Sequence, residues 1–99
     1  MADTPIGIVA RLTSQVGKAR ALRDLLEASR RTARTFVGCR SWVLLINRGN
    51  PRECVIFSEW DNLTAYEARM RDASWIELTG RLPDLVEGEL GFDLYDVIT

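Results

Sequence analysis

The stretch CVIFSEWDNLTAYEARMRDASW, Cys54–Trp75, contains the change from an extended to a helical pattern that decides the fold. Its first residues, up to Trp60, are mostly apolar and rich in β-branched or aromatic side chains, which is typical of a buried strand. Asp61 and Asn62 are residue types that cap helices, and apolar side chains then recur at helical spacing. With Glu53, which precedes it, the stretch therefore predicts a strand over Glu53–Trp60 and a helix over 63–71.

Upstream of this junction the sequence predicts three further elements. Ile6–Thr13 is β-branched and apolar and predicts the first strand. Gln15–Arg34 has apolar or small side chains at helical spacing and predicts a helix that Thr13 or Ser14 would cap. Cys39–Arg48 predicts a second strand, which the turn-forming sequence RGNP joins to the third as a hairpin.

The segments downstream complete the pattern. Ser74 and Glu77 have the spacing of a capping box, which predicts that another helix begins at Ser74. Pro83 would end or kink this helix, and Gly88 would close the segment. Glu89–Thr99 alternates apolar and polar residues and predicts the last strand. The order β-α-β-β-α-α-β is the split-βαβ pattern of a ferredoxin-like α+β fold, an antiparallel sheet with helices on one face.

The two hairpin strands contain continuous apolar runs, Leu44–Ile46 and Val55–Phe57. A strand with one face in water would alternate instead, so we expect the sheet to be covered on both faces. The helices of the chain supply one cover, and the sheet of a second subunit is the simplest candidate for the other. The pattern therefore predicts a homodimer.

Composition limits the classes of function. The 99 residues predict a single domain over 1–99, and a net charge of −1 disfavours nucleic acid and anionic membranes as partners. The sequence has neither the pattern of a signal peptide nor an apolar run of membrane-spanning length, so we expect a cytoplasmic protein. The sequence has one basic cluster, which Asp24 and Glu27 interrupt, so we expect this cluster to form a solvated helix face. The cluster comprises Arg20, Arg23, Arg30, Arg31 and Arg34.

The cysteine and histidine content argues against a metal or haem centre. The hairpin register predicts that Cys39 faces the region of Glu59 and Trp60, and that Cys54 faces the region of Ile46. The two thiols would then be too far apart for a disulfide. The chain has no histidine, and two separated cysteines do not form a zinc, non-haem iron or haem ligand set. We expect no metal and no cofactor.

Three short motifs form the junction after the third strand: the strand end Phe57–Trp60, the turn Asp61–Asn62 and the helix segment Ala65–Ala68. Together with the chain length, the element order and the Gly38–Cys39 segment that opens the second strand, they resemble the antibiotic-biosynthesis monooxygenase family of dimeric α+β barrel proteins. The resemblance covers nearly the whole chain at the level of pattern. It implies a dimeric α+β barrel built from two ferredoxin-like subunits.

The resemblance also implies an activity. Its cofactor-independent branch oxidises anthrone- or quinol-type aromatic polyketides with molecular oxygen, and places a Trp and a Tyr as Trp60 and Tyr66 stand here. That branch has an Asn where this chain has Ile56. Many relatives carry a His at the position of Arg69 and another near Trp75. Their absence disfavours haem degradation and His-dependent isomerisation.

Trp60, Tyr66 and Arg69 are the candidate catalytic residues. An arginine presents a charged planar fork that suits an oxyanion, and tryptophan and tyrosine rings stack on flat aromatic substrates. The alternatives are that Trp60 and Tyr66 only pack in the core, and that Arg69 forms an exposed ion pair with Asp72.

The candidate substrate-binding residues are Trp42, Ser58, Met70 and Trp75. Trp42 reaches the pocket only if paired positions of the hairpin sum to an even number, because a slip of one residue moves it to the other face. Asn47 and Glu59 are further polar candidates. The general base is open between Glu59, Tyr66, a water molecule and no base at all.

The resulting prediction is a cofactor-independent monooxygenase whose partners are a small aromatic substrate, dioxygen and a second copy of the chain. Two alternatives stay open. The same pocket could catalyse a polyketide cyclisation or isomerisation without oxygen, or the protein could be a noncatalytic small-molecule-binding or accessory protein.

Overall fold

The computed structural model describes residues 4–98, which form a four-stranded antiparallel sheet with three helices on one face. The strands are β1 (Ile6–Thr13), β2 (Cys39–Ile46), β3 (Glu53–Trp60) and β4 (Gly91–Asp96), in the sheet order β2-β3-β1-β4. The helices are α1 (Ala19–Arg34), α2 (Leu63–Met70) and α3 (Ala73–Arg81), and a 3-10 turn follows at Leu82–Asp84. The predicted ferredoxin-like split-βαβ fold is confirmed.

The hairpin register decides which side chains face the helices. Trp42 pairs with Ser58 and Leu44 pairs with Ile56, so paired positions from Ser41 to Ile46 sum to an even number. Side chains alternate along a strand, so Trp42 lies on the same face as Trp60. Both are buried beneath the helices. The register that places Trp42 on the helix side is the one that occurs.

The main core fills the space between the sheet and α1. Its strand residues come from even positions, because these face the helices, and its helix residues recur at helical spacing. The buried apolar residues of this cluster are Ala10, Leu12, Leu22, Leu26, Ala33, Trp42, Cys54, Ile56, Leu82 and Val86. A smaller cluster of Ile6, Ile8 and Trp60 lies nearer to α2.

Helix α1 begins later than the sequence predicted. Ser14 does not cap it, because its backbone N–H donates to the carbonyl of Arg52 at 2.8 Å and holds this residue beside the hairpin. The N-cap position is Lys18, which makes no side-chain capping bond, and Val16 is exposed instead of packed on the helix. The prediction that Thr13 or Ser14 caps this helix was wrong.

Polar side chains cap the N-termini of the two short helices, α2 and α3. The Asn62 side chain accepts a hydrogen bond from the Ala65 backbone N–H at 2.9 Å, which confirms one of the two predicted caps of α2. The cap of α3 is Asp72, whose carboxylate accepts from the Ser74 N–H at 3.0 Å. The prediction that Ser74 caps this helix was wrong, because Asp72 occupies the N-cap and α3 begins at Ala73.

Gly38 allows α2 to lie close to the connection between α1 and β2. Its φ of 90° favours glycine, and a Cβ at this position would lie 2.6 Å from the Cβ of Ala65. The Gly38 carbonyl also accepts from the Asp61 N–H at 2.8 Å. This close approach fixes the junction that directs the chain from Trp60 into α2.

The sheet face opposite the helices is uncovered within residues 4–98. Its exposed apolar side chains include Val43, Leu45 and Tyr95. Exposed ion pairs lie on the same side, with 2.7 Å between Arg11 and Asp93 and 2.6 Å between Arg40 and Asp61. The apolar side chains of this face are Val9, Val43, Leu45, Val55, Phe57, Tyr95 and Val97.

The two cysteines are free thiols at opposite ends of the hairpin ladder. Cys39 pairs with Trp60 and Cys54 pairs with Ile46, as the sequence predicted. Six positions of strand β3 separate the two pairs, or roughly 20 Å. Burial raises the pKa of each thiol.

Candidate active site

A small cavity lies between the helix-facing side of the sheet and the pair α2–α3. Its volume of about 20 Å³ has room for about one water molecule. The structure brings all seven predicted site residues to its wall: Trp42, Ser58, Trp60, Tyr66, Arg69, Met70 and Trp75. The wall is completed by Ile8, Ala10, Ile56 and Phe92.

The sheet supplies the floor of this cavity. Trp42 and Ser58 are directly opposite each other on neighbouring strands, and Trp60 is two positions further along β3 on the same face. The indole Nε1 of Trp60 donates a hydrogen bond to the Ser58 hydroxyl at 3.1 Å. Because the buried indole N–H has this partner, the ring is oriented by a specific bond as well as by packing.

Aromatic rings in the cavity wall, and Phe36 next to it, make edge-to-face contacts. The Trp60 ring centre lies 6.2 Å from that of Tyr66 and 6.3 Å from that of Phe36, with interplanar angles of 65° and 72°. A second pair, Trp75 and Phe92, has its centres 6.2 Å apart at 73°. These separations and angles are those of favourable aromatic pairs, so the walls are flat and apolar.

Tyr66 brings a hydroxyl to the α2 side of the site. The residue is half-buried, and within residues 4–98 its hydroxyl has no hydrogen-bond partner. Burial raises the pKa of Tyr66 above its ordinary value of 10.0. The phenol is therefore protonated at neutral pH and can donate to a ligand oxygen.

Arg69 is the charged group of the cavity wall. Only 2% of this residue is exposed. Its Nη1 donates to the Ser74 hydroxyl at 2.7 Å and to the Asp72 carboxylate at 3.2 Å. Its guanidinium carbon lies 5.7 Å from the centre of the Phe36 ring and 5.6 Å from that of Trp75. Cation–π contacts and hydrogen bonds thus hold the cation in place.

The sequence left open that Arg69 only forms an exposed ion pair with Asp72. The ion pair is present, but its arginine is buried. Arg69 is buried while the Asp72 side chain remains about one-third exposed. The rings that pack against the arginine are Phe36, before β2, and Trp75, in α3.

The charges of this pair are fixed at neutral pH. Burial lowers the pKa of Arg69, and the neighbouring Asp72 acts against this shift. A guanidinium remains charged in proteins even so. A hydrogen bond from the Ser74 hydroxyl is the main cause that lowers the pKa of Asp72, and backbone N–H donors and Arg69 add to it. The cavity wall therefore carries a permanent cation with an anion behind it.

Two polar candidates lie away from the cavity. Glu59 is on the opposite sheet face, where its carboxylate is 3.5 Å from Arg40. Asn47 lies at the hairpin turn, where its side-chain oxygen accepts from the N–H of Gly49 at 2.8 Å. Neither lines the cavity, so the suggestions that they supply pocket atoms, and that Glu59 is the base, were wrong.

Sequence reasoning missed the contributions of Phe36 and Phe92. The alternation of β4 and its pairing with β1, which sets Phe92 opposite Ala10, is the signal that could have found Phe92. Phe36 precedes β2 in a loop, where no periodicity indicates the direction of a side chain. Its contact with Arg69 depends on the tertiary fold.

Residues 4–98 contain no group of three or more His, Cys, Asp or Glu side chains that could hold a metal ion. In the same range, no helix combines the length and the apolar character that crossing a membrane requires.

Comparison with solved structures places the fold among known ones. Rv0793 from Mycobacterium tuberculosis superposes with a TM-score of 0.91 at 21% identity, covering 97% of each chain. SO0527 from Shewanella oneidensis has a TM-score of 0.87 at 23% identity, covering 94% of this chain and 90% of that chain. At these identities the likeness shows the fold alone.

A third solved structure, described as a candidate antibiotic biosynthesis monooxygenase from Deinococcus radiodurans, has a TM-score of 0.89 at 22% identity. It covers 95% of this chain and 93% of that chain. No curated protein matches the sequence. Residues 5–79 match the family described as antibiotic biosynthesis monooxygenase. Since this match covers more than half of the chain, the protein belongs to the antibiotic biosynthesis monooxygenase family.

Proposed function

We propose that this protein is a cofactor-independent monooxygenase that oxidises an anthrone- or quinol-type aromatic polyketide with molecular oxygen. The observation that carries the proposal is the buried Arg69 cation in the wall of a cavity lined by aromatic rings. A flat, acidic, electron-rich substrate is the ligand chemistry that such walls and such a charge would favour. The family match supports monooxygenation as the reaction type.

Substrate binding would use the aromatic walls. The Trp60 and Trp75 rings offer flat apolar surfaces, and the Tyr66 hydroxyl offers a hydrogen-bond donor to a ring oxygen. Because Ser58 and the Arg69 contacts hold the Trp60 and Trp75 rings in place, little rotamer freedom would be lost on binding.

Arg69 would stabilise the substrate anion. Deprotonation of an anthrone places negative charge on its carbonyl oxygen, and a nearby guanidinium lowers the free energy of that enolate. Within residues 4–98 the side-chain hydrogen bonds of Arg69 run through Nη1, so its other N–H groups are available for the oxyanion. Asp72 and Ser74 are positioning residues, because they hold Arg69 and do not line the cavity themselves.

The reaction balances without a further oxidant. The enolate passes one electron to dioxygen, and the resulting radical and superoxide combine to form a C–O bond. Cleavage of the O–O bond of the peroxide, with loss of the remaining C–H proton, gives the new carbonyl. Overall, one anthrone and one dioxygen give one quinone and one water, and each product receives one oxygen atom.

The acceptor of the first proton would be water or solvent. Glu59 lies on the wrong sheet face, and the raised pKa of Tyr66 makes its phenol a donor at neutral pH. Stabilisation of the enolate by Arg69 makes the substrate more acidic, which reduces the need for a strong protein base.

The cavity would have to open to admit a polycyclic substrate, since it has room for about one water molecule. Phe92 is partly exposed on strand β4 and closes the cavity beside Trp75. Met70 has an unbranched side chain that adapts readily to a new shape. Displacement of Phe92 and Met70 would enlarge this site.

The proposed assembly is a homodimer formed through the uncovered sheet face. Val43, Leu45 and Tyr95 expose apolar surface there, and a contiguous exposed apolar patch is typical of a protein–protein contact. The Arg11–Asp93 and Arg40–Asp61 pairs would flank the contact.

Turnover in air and under nitrogen tests the proposal. Purified protein treated with a metal chelator should convert an anthrone in air faster than autoxidation does, and should not convert it under nitrogen. Conversion of a polyketide under nitrogen would instead indicate a cyclase or isomerase. Saturable binding of aromatic ligands without conversion under either gas would indicate a binding or accessory protein.

A further inference from the structure

A second concave surface lies between the start of α1 and the β2–β3 hairpin. This groove has a volume of about 450 Å³ and shares no lining residue with the aromatic cavity. It combines arginines with an apolar side formed by Leu22, Ile46 and Pro51. Such a mixture suits a small ligand that has an anionic group and an apolar body.

The charge of the groove is mainly positive. It is lined by three arginines, Arg20, Arg23 and Arg52, against one acid, Asp24. Arg52 is already held, since its Nε donates to the Ser14 carbonyl at 3.0 Å and its Nη2 bonds the Glu87 carboxylate. Within residues 4–98, Arg20 and Arg23 form no ion pair. Two guanidinium groups are therefore free to meet an anion.

The first turn of α1 opens on the same groove. Ala19 and Arg20, the first two residues of this 16-residue helix, line it, and no side chain caps the helix. The initial backbone N–H groups of a helix have no intrahelical acceptor, and the helix dipole is positive at this end. Uncapped N–H groups beside free arginines form a set of donors suited to phosphate.

Ser14 supplies an independent indication of a ligand. Ser14 is only 1% exposed, and its hydroxyl has no hydrogen-bond partner within residues 4–98. The alternation of β1 places it on the helix side, in line with Leu12, and it lines the groove. A buried hydroxyl without a partner is rare in folded proteins.

We infer that this groove binds a phosphate group carried by a small organic molecule. The phosphate would accept hydrogen bonds from the first turn of α1, from Arg20 and Arg23, and from the Ser14 hydroxyl. The organic part would lie against Leu22 and Ile46. This site is separate from the proposed oxygenation site, and the inference stands whether or not that proposal holds.

Titration followed by ¹H–¹⁵N NMR tests the inference with inorganic phosphate and with phenyl phosphate, at constant ionic strength maintained with chloride. Saturable shifts should appear at the amides of Ala19, Arg20 and Ala21 and at Ser14. Phenyl phosphate should bind about tenfold more tightly than inorganic phosphate, because its ring adds apolar contact. Equal affinity for the two would contradict an organic ligand, and the absence of saturation with both would contradict the site.

Three variants sharpen this test. Arg23→Gln and Ser14→Ala should each weaken phenyl phosphate binding by about tenfold, the factor that one lost charge-assisted contact gives. Arg31→Gln, which changes an exposed arginine of the same helix outside the groove, should bind as the unchanged protein does. Ser14→Ala removes a hydroxyl without a partner, so its thermal stability should not fall. Unchanged affinity in Arg23→Gln and Ser14→Ala would overturn the inference.

Discussion

The guanidinium carbon of Arg69 lies 5.6 Å from the centre of the Trp75 ring, so the start of α3 holds the cation that α2 presents to the cavity. Phe36 faces the same guanidinium at 5.7 Å. The two rings give this charge a fixed position without neutralising it. A buried, positioned cation beside flat aromatic walls is the feature on which the proposed chemistry depends.

The bond between Trp60 and Ser58 predicts the stability of one variant. Ser58→Ala should leave the buried indole N–H without an acceptor and lower the free energy of unfolding by about 1–3 kcal/mol. Urea denaturation measures this change. Ser29→Ala is the matched control, because Ser29 is also buried but its hydroxyl has no partner within residues 4–98. A loss in Ser29→Ala as large as in Ser58→Ala would contradict the assigned bond.

Gly38 predicts a second stability difference. Gly38→Ala adds a Cβ that meets Ala65 at 2.6 Å and occurs at a φ of 90°, so the free energy of unfolding should fall by about 2 kcal/mol. Gly80→Ala is the control, since a Cβ there meets nothing within 4 Å and alanine favours a helix. Thermal unfolding of both variants measures this difference in stability. A Gly38→Ala variant as stable as Gly80→Ala would contradict the close approach of α2 to Gly38.

Acidification should weaken the folded state through Asp72. Its pKa lies below the ordinary value of 3.8 in the folded protein, mainly because the Ser74 hydroxyl donates to it. The unfolded chain then binds this proton more readily, so the stability from Asp72 is present above pH 3.8 and is lost as pH falls through the folded-state pKa. Urea unfolding between about pH 5 and about pH 2 should therefore show a smaller loss of stability in Asp72→Asn. Parallel curves for the two proteins would be inconsistent with this role.

The uncovered sheet face predicts the effect of a charge on assembly. Leu45→Glu should convert the proposed dimer to monomer, because a carboxylate would be buried without a partner at the contact. Leu63→Glu is the control, since Leu63 is 45% exposed, close to the 52% of Leu45, but lies on α2 and away from the sheet face. Sedimentation equilibrium distinguishes the two. A monomeric unchanged protein at micromolar concentration would contradict the assembly itself.

The strands could be predicted closely from the sequence. Ile6–Thr13 and Glu53–Trp60 have the predicted limits, because β-branched runs bounded by turn residues are a local signal. The start of α1 could not be predicted in this way. Ser14 is held by a hydrogen bond to Arg52 and a bridge to Val86, which are distant in sequence, and this tertiary pairing overrides its tendency to cap a helix.

In the candidate site, too, some features follow from local sequence patterns and others depend on tertiary contacts. Helical spacing placed Tyr66 and Met70 on one face of α2, and the even hairpin register brought Trp42 and Trp60 to one side of the sheet. The burial of Arg69 had no local signal, because it depends on rings that come from other elements. The roles of these residues in catalysis stay predictions.

The central claim is that Arg69 promotes insertion of one atom of dioxygen into an aromatic substrate. Its most direct test incubates an anthrone under ¹⁸O₂ with the unchanged protein, Arg69→Gln and Arg71→Gln, and measures label in the quinone by mass spectrometry. Arg71 is exposed and absent from the cavity wall, so its variant is the matched control. We predict one labelled atom per quinone above autoxidation, with the rate about 100-fold lower in Arg69→Gln and unchanged in Arg71→Gln. No labelled quinone above autoxidation, or equal rates for Arg69→Gln and the unchanged protein, would contradict the claim.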